Sequence, residues 1–368
     1  MLDILLRLIG FGDALSGALS LFGIESPLGR VKTSEKTLKT SRDKLLRILK
    51  RENETRLANS LHELVKLDLR IEDQYQQVGK PKIERVPEDP PNSRKSLFQR
   101  LINLVVLCGK ESAKPPLAAE DIKKIIEVFD RSDIQGKLLI LGEPGSGKTT
   151  ELLHLAQDLI KQACEDKHCP IPLVLELFAW NGEKIDGWVA SQIRKQYNLR
   201  EHITQKWLED NQLLLLLDGL DELGLKKQQH CIEAINEFLE ENNLPGLVVC
   251  CRREEYDAGQ IQLDELNGAV YLEALREEQI QQYFADLNRL RLWENVRRSP
   301  ALVELAQKPL FLFMLVVAYQ GQPIRTEKDL FDAYIAKQLH DPRNQGTYPV
   351  VSRKYFQTFP NYVSAWIV

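Results

Sequence analysis

Methionine is nearly absent from this chain, cysteine is sparse, and no apolar run is long enough to span a bilayer. Two methionines and six cysteines are all the sulfur in 368 residues. The cysteines follow no framework spacing. Cys164, His168 and Cys169 come nearest to a metal pattern, but no second Cys/His pair sits at zinc-ligand distance. A disulfide scaffold and a zinc module are therefore excluded, and buried free thiols in a reducing cytoplasm are expected. A strong charge of either sign is missing too. The net charge of -4 argues against a nucleic-acid scaffold, so no nucleic-acid partner is expected. No internal repeat occurs, and no leucine-rich, WD40 or TPR units for sensing a ligand. What remains is an ordinary mixed α/β composition, long enough for two or three domains.

The N-terminal stretch is apolar but interrupted. Asp3, Arg7 and Asp13 break residues 2–22, and the run from Ala14 to Ile24 falls short of the ~20 residues a spanning helix needs. Ile4, Leu8, Phe11, Leu15, Leu19 and Phe22 share one helical face, so an amphipathic helix is expected. It lacks the basic start and cleavage site of a signal peptide. Packing against protein is the favoured role. Peripheral membrane contact, helped by Arg30, Lys32, Lys36 and Lys39, is the less favoured one. Residues 34–70 continue as a charged helical pattern whose basic excess reads as a solvated face. Residues 1–77 are thus an N-terminal helical region. Residues 78–116 form a linker and connecting segment, proline-rich over 78–96. A helix from Leu117 to Asp130 then leads into the core.

The densest chemical signal is Gly142-Glu143-Pro144-Gly145-Ser146-Gly147-Lys148-Thr149-Thr150. It fits G-x-x-x-x-G-K-[ST]. Lys137 to Leu141 read as a buried strand before it, and Glu151 to Cys164 as an amphipathic helix after it. Strand, glycine loop and helix make a phosphate cradle: backbone N–H groups turn inward, the helix N-terminus adds positive potential, and Lys148 reaches the terminal phosphates. Thr149 is placed to offer its hydroxyl to Mg²⁺. A glycine-rich turn that bound nothing would have no use for Lys148.

A second signal follows about 70 residues on. Five leucines, Leu213 to Leu217, run into Asp218-Gly219-Leu220-Asp221-Glu222. A short apolar run ending in an acid reads as a central strand that delivers a carboxylate to the carboxyl edge of a parallel sheet, where ligands bind. Asp218 can serve the Mg²⁺ shell, and Asp221 and Glu222 are close enough to polarise a water. Gly246 to Cys251 read as another buried strand ending in Arg252, which can sense γ-phosphate charge. A surface arginine after a strand is the plainer account.

The order GEPGSGKTT, LLLLLDGLDE, VVCCRREEY and AQKPLFLFML resembles the NACHT branch of the STAND signalling NTPases, over roughly residues 115 to 340. The resemblance implies an α/β P-loop NTPase core with a parallel sheet ordered 5-1-4-3-2, counting from the strand at 137. It implies roles for Asp218 at Mg²⁺, for Asp221 or Glu222 at water, and for Arg252 as sensor. It also implies a proline, Pro309, that packs near adenine; a plain helix-start proline is the alternative. Cys250-Cys251 depart from the Thr-Ser often found before that arginine. The expected layout is an NTPase core over 117–275, a helical lid over 276–322, and a partial winged helix with an irregular tail over 323–368. Neither His340 nor any later residue matches the histidine that contacts ADP in the family's winged helix. A truncated form, or sensing and output located elsewhere, is expected.

The function these signals imply is a slow ATPase switch that binds Mg-ATP, self-associates and meets protein partners, in a signalling setting such as stress or defence. ATP is favoured over GTP because no N-K-x-D motif is found. A turnover ATPase of AAA+ type and a nucleotide-binding scaffold without hydrolysis are the alternatives. A cytoplasmic protein, peripheral to a membrane at most, is expected.

Overall fold

The computed structural model describes residues 35–58, 69–79, 124–242 and 244–340. The chain divides into two compact units, Met1–Ser41 and Arg42–Val368. Of the first, only the opening of one helix is described; there the Thr40 hydroxyl donates to the Lys36 carbonyl at 2.9 Å. The reading of residues 2–22, and of the tail after 340, lies outside the described residues.

Six strands form one sheet: β1 (Ile71–Asp73), β2 (Lys137–Gly142), β3 (Ile171–Glu176), β4 (Leu213–Asp218), β5 (Leu247–Arg252) and β6 (Gly268–Leu272). Their spatial order is β1-β6-β2-β5-β4-β3. The five strands from β2 to β6 run parallel to their neighbours and reproduce the expected 5-1-4-3-2 order. The difference lies at the edge. Ile71–Asp73 pairs antiparallel with β6, so a stretch read as the end of a helical region is a sixth strand instead. Three residues are too few for alternation to show in sequence. The pairing is secured by tertiary contacts: Arg131 reaches both carboxylate oxygens of Asp73 at 2.9 Å and also holds Asp133 and the Tyr75 hydroxyl.

The helices are α1 (Glu35–Ala58), α2 (Ile125–Phe129), α3 (Lys148–Glu165), α4 (Ile185–Tyr197), α5 (Glu201–Glu209), α6 (Leu225–Glu241), α7 (Arg253–Asp257), α8 (Glu277–Asp286), α9 (Leu290–Val296), α10 (Pro300–Ala306), α11 (Pro309–Ala318) and α12 (Glu327–His340). Helix α5 was not expected. Its charged, short sequence hides an apolar side carried by Ile203, Trp207 and Leu208. The strands read as continuous apolar runs because helices cover a parallel sheet on both faces. Leu213 to Leu217 are all 2% exposed or less.

One core runs from the sheet into the helices that follow β6. Leu138, Ile140, Leu214, Leu216, Val248 and Cys250 share a cluster with Leu152 and Leu155 of α3 and with Phe284, Leu302, Leu312 and Leu315 of α8, α10 and α11. Truncating Leu312 or Leu315, both fully buried, to alanine is expected to cost about 2–5 kcal/mol. Helix α11 therefore cannot swing freely; its N-terminus is delivered to one place. That place is the carboxyl edge of β2.

In the second unit α1 is bonded to α3. Leu45, Leu46 and Leu49 are buried. The Arg42 guanidinium donates to the carbonyls of Ala163 (3.1 Å) and Cys169 (2.7 Å) at the end of α3. The Asn53 amide donates to the Leu153 carbonyl at 3.0 Å.

Candidate functional site

Every part of the site lies at the carboxyl edge of the sheet, and the topology explains why. Parallel strands bring their C-terminal residues to one side, and β5 sits between β2 and β4. Gly142 pairs with Arg252, so the start of the phosphate loop and the arginine stand side by side. Across the sheet Asp218 pairs with Glu176.

A cavity of about 240 Å³ opens there. Its walls are Pro144, Gly145 and Gly147 to Thr150 from the loop, Asp218, Gly219, Asp221 and Glu222 from the acidic motif, Arg252 from β5, and Pro309 and Leu310 from the start of α11. The structure thus brings together nearly all the residues singled out from sequence. Gly142, Glu143 and Ser146 belong to the loop but not to the cavity wall: Gly142 ends β2, the Glu143 carboxylate accepts from the Tyr271 hydroxyl at 3.3 Å, and Ser146 is buried with no partner at its hydroxyl.

The loop turns through glycines in the left-handed region. At Gly145 (φ +75°) a Cβ would also stand 3.0 Å from the Leu310 side chain, so α11 packs on backbone that only glycine leaves open. The Leu310 amide donates to the Gly145 carbonyl at 3.2 Å. Pro309 is the first residue of α11 and gives up no donor there. The Lys148 ammonium donates to the carbonyls of Gly142 (2.8 Å) and Glu143 (3.0 Å). Burial holds its pKa below the ordinary lysine value, with Asp221 opposing and Arg252 assisting. A desolvated cation of this kind gains from an anion placed beside it.

The acids divide into distinct tasks. Asp218, partly buried, is held above the usual aspartate range mainly by desolvation, while its hydrogen bond with Thr149 and the charge of Arg56 pull the other way. Asp221 is nearly buried, with 8% of its side chain exposed, and it is fully engaged. One carboxylate oxygen accepts from the Arg252 backbone amide at 3.0 Å and the other meets the Arg252 guanidinium at 3.0 Å. Glu222, one residue on, is exposed at the cavity mouth. It too is held above the ordinary glutamate value, first by partial burial, then by Asp221 and Asp218. Gly219 (φ +76°) makes the turn that folds Glu222 back, its missing Cβ leaving 3.2 Å to the Glu222 carboxyl carbon.

Residues not anticipated from sequence also reach this edge. Glu176 ends β3 beside Asp218; an acid closing a second apolar strand was the available signal. Arg56 from α1 pairs with Glu176 at 3.1 Å, and Glu255 takes a second branch of Arg252 at 3.4 Å. Nothing local marks Arg56, whose partner is 120 residues away.

The donor set fits a nucleotide with Mg²⁺. Thr149 and Asp218 line the same cavity, and the loop supplies a phosphate cradle beside them. Among the described residues no three His, Cys, Asp or Glu side chains group into a cage of their own. That suits an ion held chiefly through phosphate oxygens and water.

Comparison with known families agrees with this geometry. The NACHT domain profile matches residues 137–290. This chain carries a NACHT domain. The NACHT match begins at the first residue of β2 and ends at the start of α9, so it covers the phosphate loop, the acidic motif and Arg252. Three solved structures to which the chain is similar are the Aeropyrum pernix ORC1 protein in complex with DNA, PCH-2 from C. elegans, and AMPPCP-bound DnaA from Aquifex aeolicus. The first is 14% identical, over 82% of this chain and 75% of that one, with a TM-score of 0.36. The second is 12% identical, over 83% and 95%, with a TM-score of 0.27. The third is 13% identical, over 55% and 70%, with a TM-score of 0.24. No curated protein matches the chain. Among the described residues no single helix is long and apolar enough to cross a membrane. Only α10 and α11 together pass by composition, and they are bent at 115°.

Proposed function

We propose that this protein is a nucleotide-dependent switch that binds Mg-ATP, hydrolyses it slowly, and uses the difference between ATP and ADP to control self-association with protein partners, in a signalling setting. One observation carries the reading: Lys148, Thr149, Asp218, Glu222, Arg252 and Pro309, drawn from four separate segments, line one cavity.

Lys148 and the loop amides would bind the phosphates. Thr149 and Asp218 would hold Mg²⁺, which when bound neutralises the phosphate charge and fixes its orientation. Glu222 is the residue that would take a proton from water: it is free, it is at the mouth, and partial burial with Asp221 and Asp218 raises its pKa above the ordinary glutamate value. Asp221 is committed to Arg252, so its part is to hold the arginine. A γ-phosphate would compete with Asp221 for that guanidinium, giving the differential contact that a switch requires. Leu310 bonded to Gly145 supports a lid that feels the loop directly. ATP over GTP rests on the missing N-K-x-D signal. The assignment of domains from 117, 276 and 323, and a partial winged helix opening with α12, belong to the same proposal.

The test is equilibrium binding of ATP, ADP and GTP with and without Mg²⁺, alongside hydrolysis and sedimentation across protein concentration. ATP binding with turnover well below the ~10 per second of typical enzymes, rising with concentration, fits the switch. Fast turnover independent of concentration would make it a turnover ATPase, and binding without hydrolysis a scaffold.

A further inference from the structure

Glu176 and Asp218 end adjacent parallel strands in register. Residues so paired lie ~5 Å apart and project from the same face of the sheet. Two carboxylates in that relation would both be drawn to a divalent cation, and Mg²⁺ tolerates only near-octahedral ligands. Yet only Asp218 of the two lines the cavity with Thr149. Glu176 is turned to Arg56, with Nη2 to Oε1 at 3.1 Å.

Arg56 does not reach this point by chance of a flexible side chain alone. It rides the last turn of α1, one turn after Asn53, which is buried and bonded to the Leu153 carbonyl on the phosphate-loop helix. Glu52 accepts from the Tyr197 hydroxyl at 3.2 Å on the next element over. The helix is thus fixed to α3 and α4 on either side, and the arginine is presented to the end of β3. Its charge is felt at Asp218 as well.

We propose that Arg56 is a positioning residue of the nucleotide edge: by pairing with Glu176 it keeps that carboxylate out of the metal's ligand sphere, so that Thr149 and Asp218 alone set where Mg²⁺ sits. This rests on reading the edge as a Mg-nucleotide site. It makes the N-terminal helix a working part of that site, although α1 lies outside the NACHT match.

The experiment compares the parent chain with Arg56→Ala, Glu176→Gln, the double variant and Arg56→Lys. Mg²⁺ affinity is measured by calorimetry with a non-hydrolysable ATP analogue, hydrolysis by steady-state kinetics, and folding by thermal melting of the metal-free proteins. Freeing Glu176 in Arg56→Ala should tighten Mg²⁺ several-fold yet slow hydrolysis by roughly tenfold, the size of coupling seen between residues in contact. Adding Glu176→Gln should restore both to near the parent values. Glu176→Gln alone and Arg56→Lys should stay close to the parent throughout. Slower hydrolysis with unchanged Mg²⁺ affinity, or no recovery in the double variant, would overturn the proposal and leave Arg56 a surface tie for the helix. A parent chain that binds no Mg-nucleotide would instead overturn the site itself, and the two failures are distinct. If Arg56→Ala melts early, Arg56→Gln, which keeps most of the side-chain stem and removes the charge, takes its place alone and in the double variant, with the same outcomes expected.

Discussion

The two ends of the cleft are built on different plans. The phosphate end is local: residues 142–150 are contiguous, the anchor of Lys148 lies within the same loop, and the start of α11 is what joins the loop at the cavity wall from afar. The acid end is assembled from afar. Asp218 and Glu222 come from β4 and its turn, Glu176 from β3, Arg252 and Glu255 from β5 and α7, and Arg56 from α1. A local device must be complete to work at all, so it is nearly all-or-none. A distributed device can lose one member and keep the others, so its parts are separable. The following outcomes test that contrast.

The largest effect is expected at the local end. Lys148→Ala removes the one mobile cation of the loop, and truncating a buried charged partner costs about 3–5 kcal/mol, or ~10²–10⁴-fold in affinity. Calorimetry should show ATP affinity falling by that factor with the thermal melt preserved. Unchanged affinity would mean the backbone amides alone hold the phosphates.

At the distributed end the losses should separate by kind. Glu222→Gln should keep Mg-ATP and lose roughly 10²–10⁴ in hydrolysis. Asp221→Asn should act less on chemistry and more on pH. It removes the nearest negative charge from Glu222 and releases Arg252, and both changes lower the Glu222 pKa from its raised position. The acid limb of hydrolysis should therefore move to lower pH in Asp221→Asn. A limb that stays in place, or a loss as large as in Glu222→Gln, would return the proton-accepting role to Asp221.

Arg252→Ala should fall below these. Hydrogen bonds to charged groups are worth about 1.5–3 kcal/mol, and here Asp221 competes for the arginine. ATP affinity should drop roughly tenfold, ADP affinity much less, and ATP-dependent self-association should weaken in sedimentation. Equal losses for both nucleotides would show that Arg252 senses no γ-phosphate.

The same contrast explains what the sequence made legible. The phosphate loop, the leucine strand and its acids, and the strand order were readable because each is a contiguous pattern with its own physical signature. Pro309 was readable only through a family likeness, and the Leu310 amide beside it bonds the Gly145 carbonyl, a backbone contact that carries no sequence signal. Strand β1 was misread as helical because three residues fix no period, and Arg131, the side chain that secures it, lies some 60 residues away. Helix α5 was passed over because only Ile203, Trp207 and Leu208 mark its buried side. The split between Asp221 and Glu222 was invisible: two adjacent acids differ only in which way Gly219 and the next turn point them.

The smallest effect, and the finest test of the contrast, concerns stability without ligand. Asp218 is held above the ordinary aspartate value in the fold, chiefly by burial. A carboxyl whose folded pKa is raised gives its full stabilisation below the unfolded value of ~4 and loses it as pH rises through the folded one. At neutral pH the ionised Asp218 is therefore a cost that the metal-free protein carries. Asp218→Asn keeps an acceptor for Thr149 and removes the charge. It should melt a few degrees above the parent at pH 7, given ~2–4 °C per kcal/mol for a domain of this size. The gap should close as the pH approaches 4, and Mg²⁺ affinity should be lost throughout. If the variant melts below the parent at neutral pH, the ionised carboxylate is instead a structural partner of Thr149. The distributed end would then share the all-or-none character of the phosphate loop.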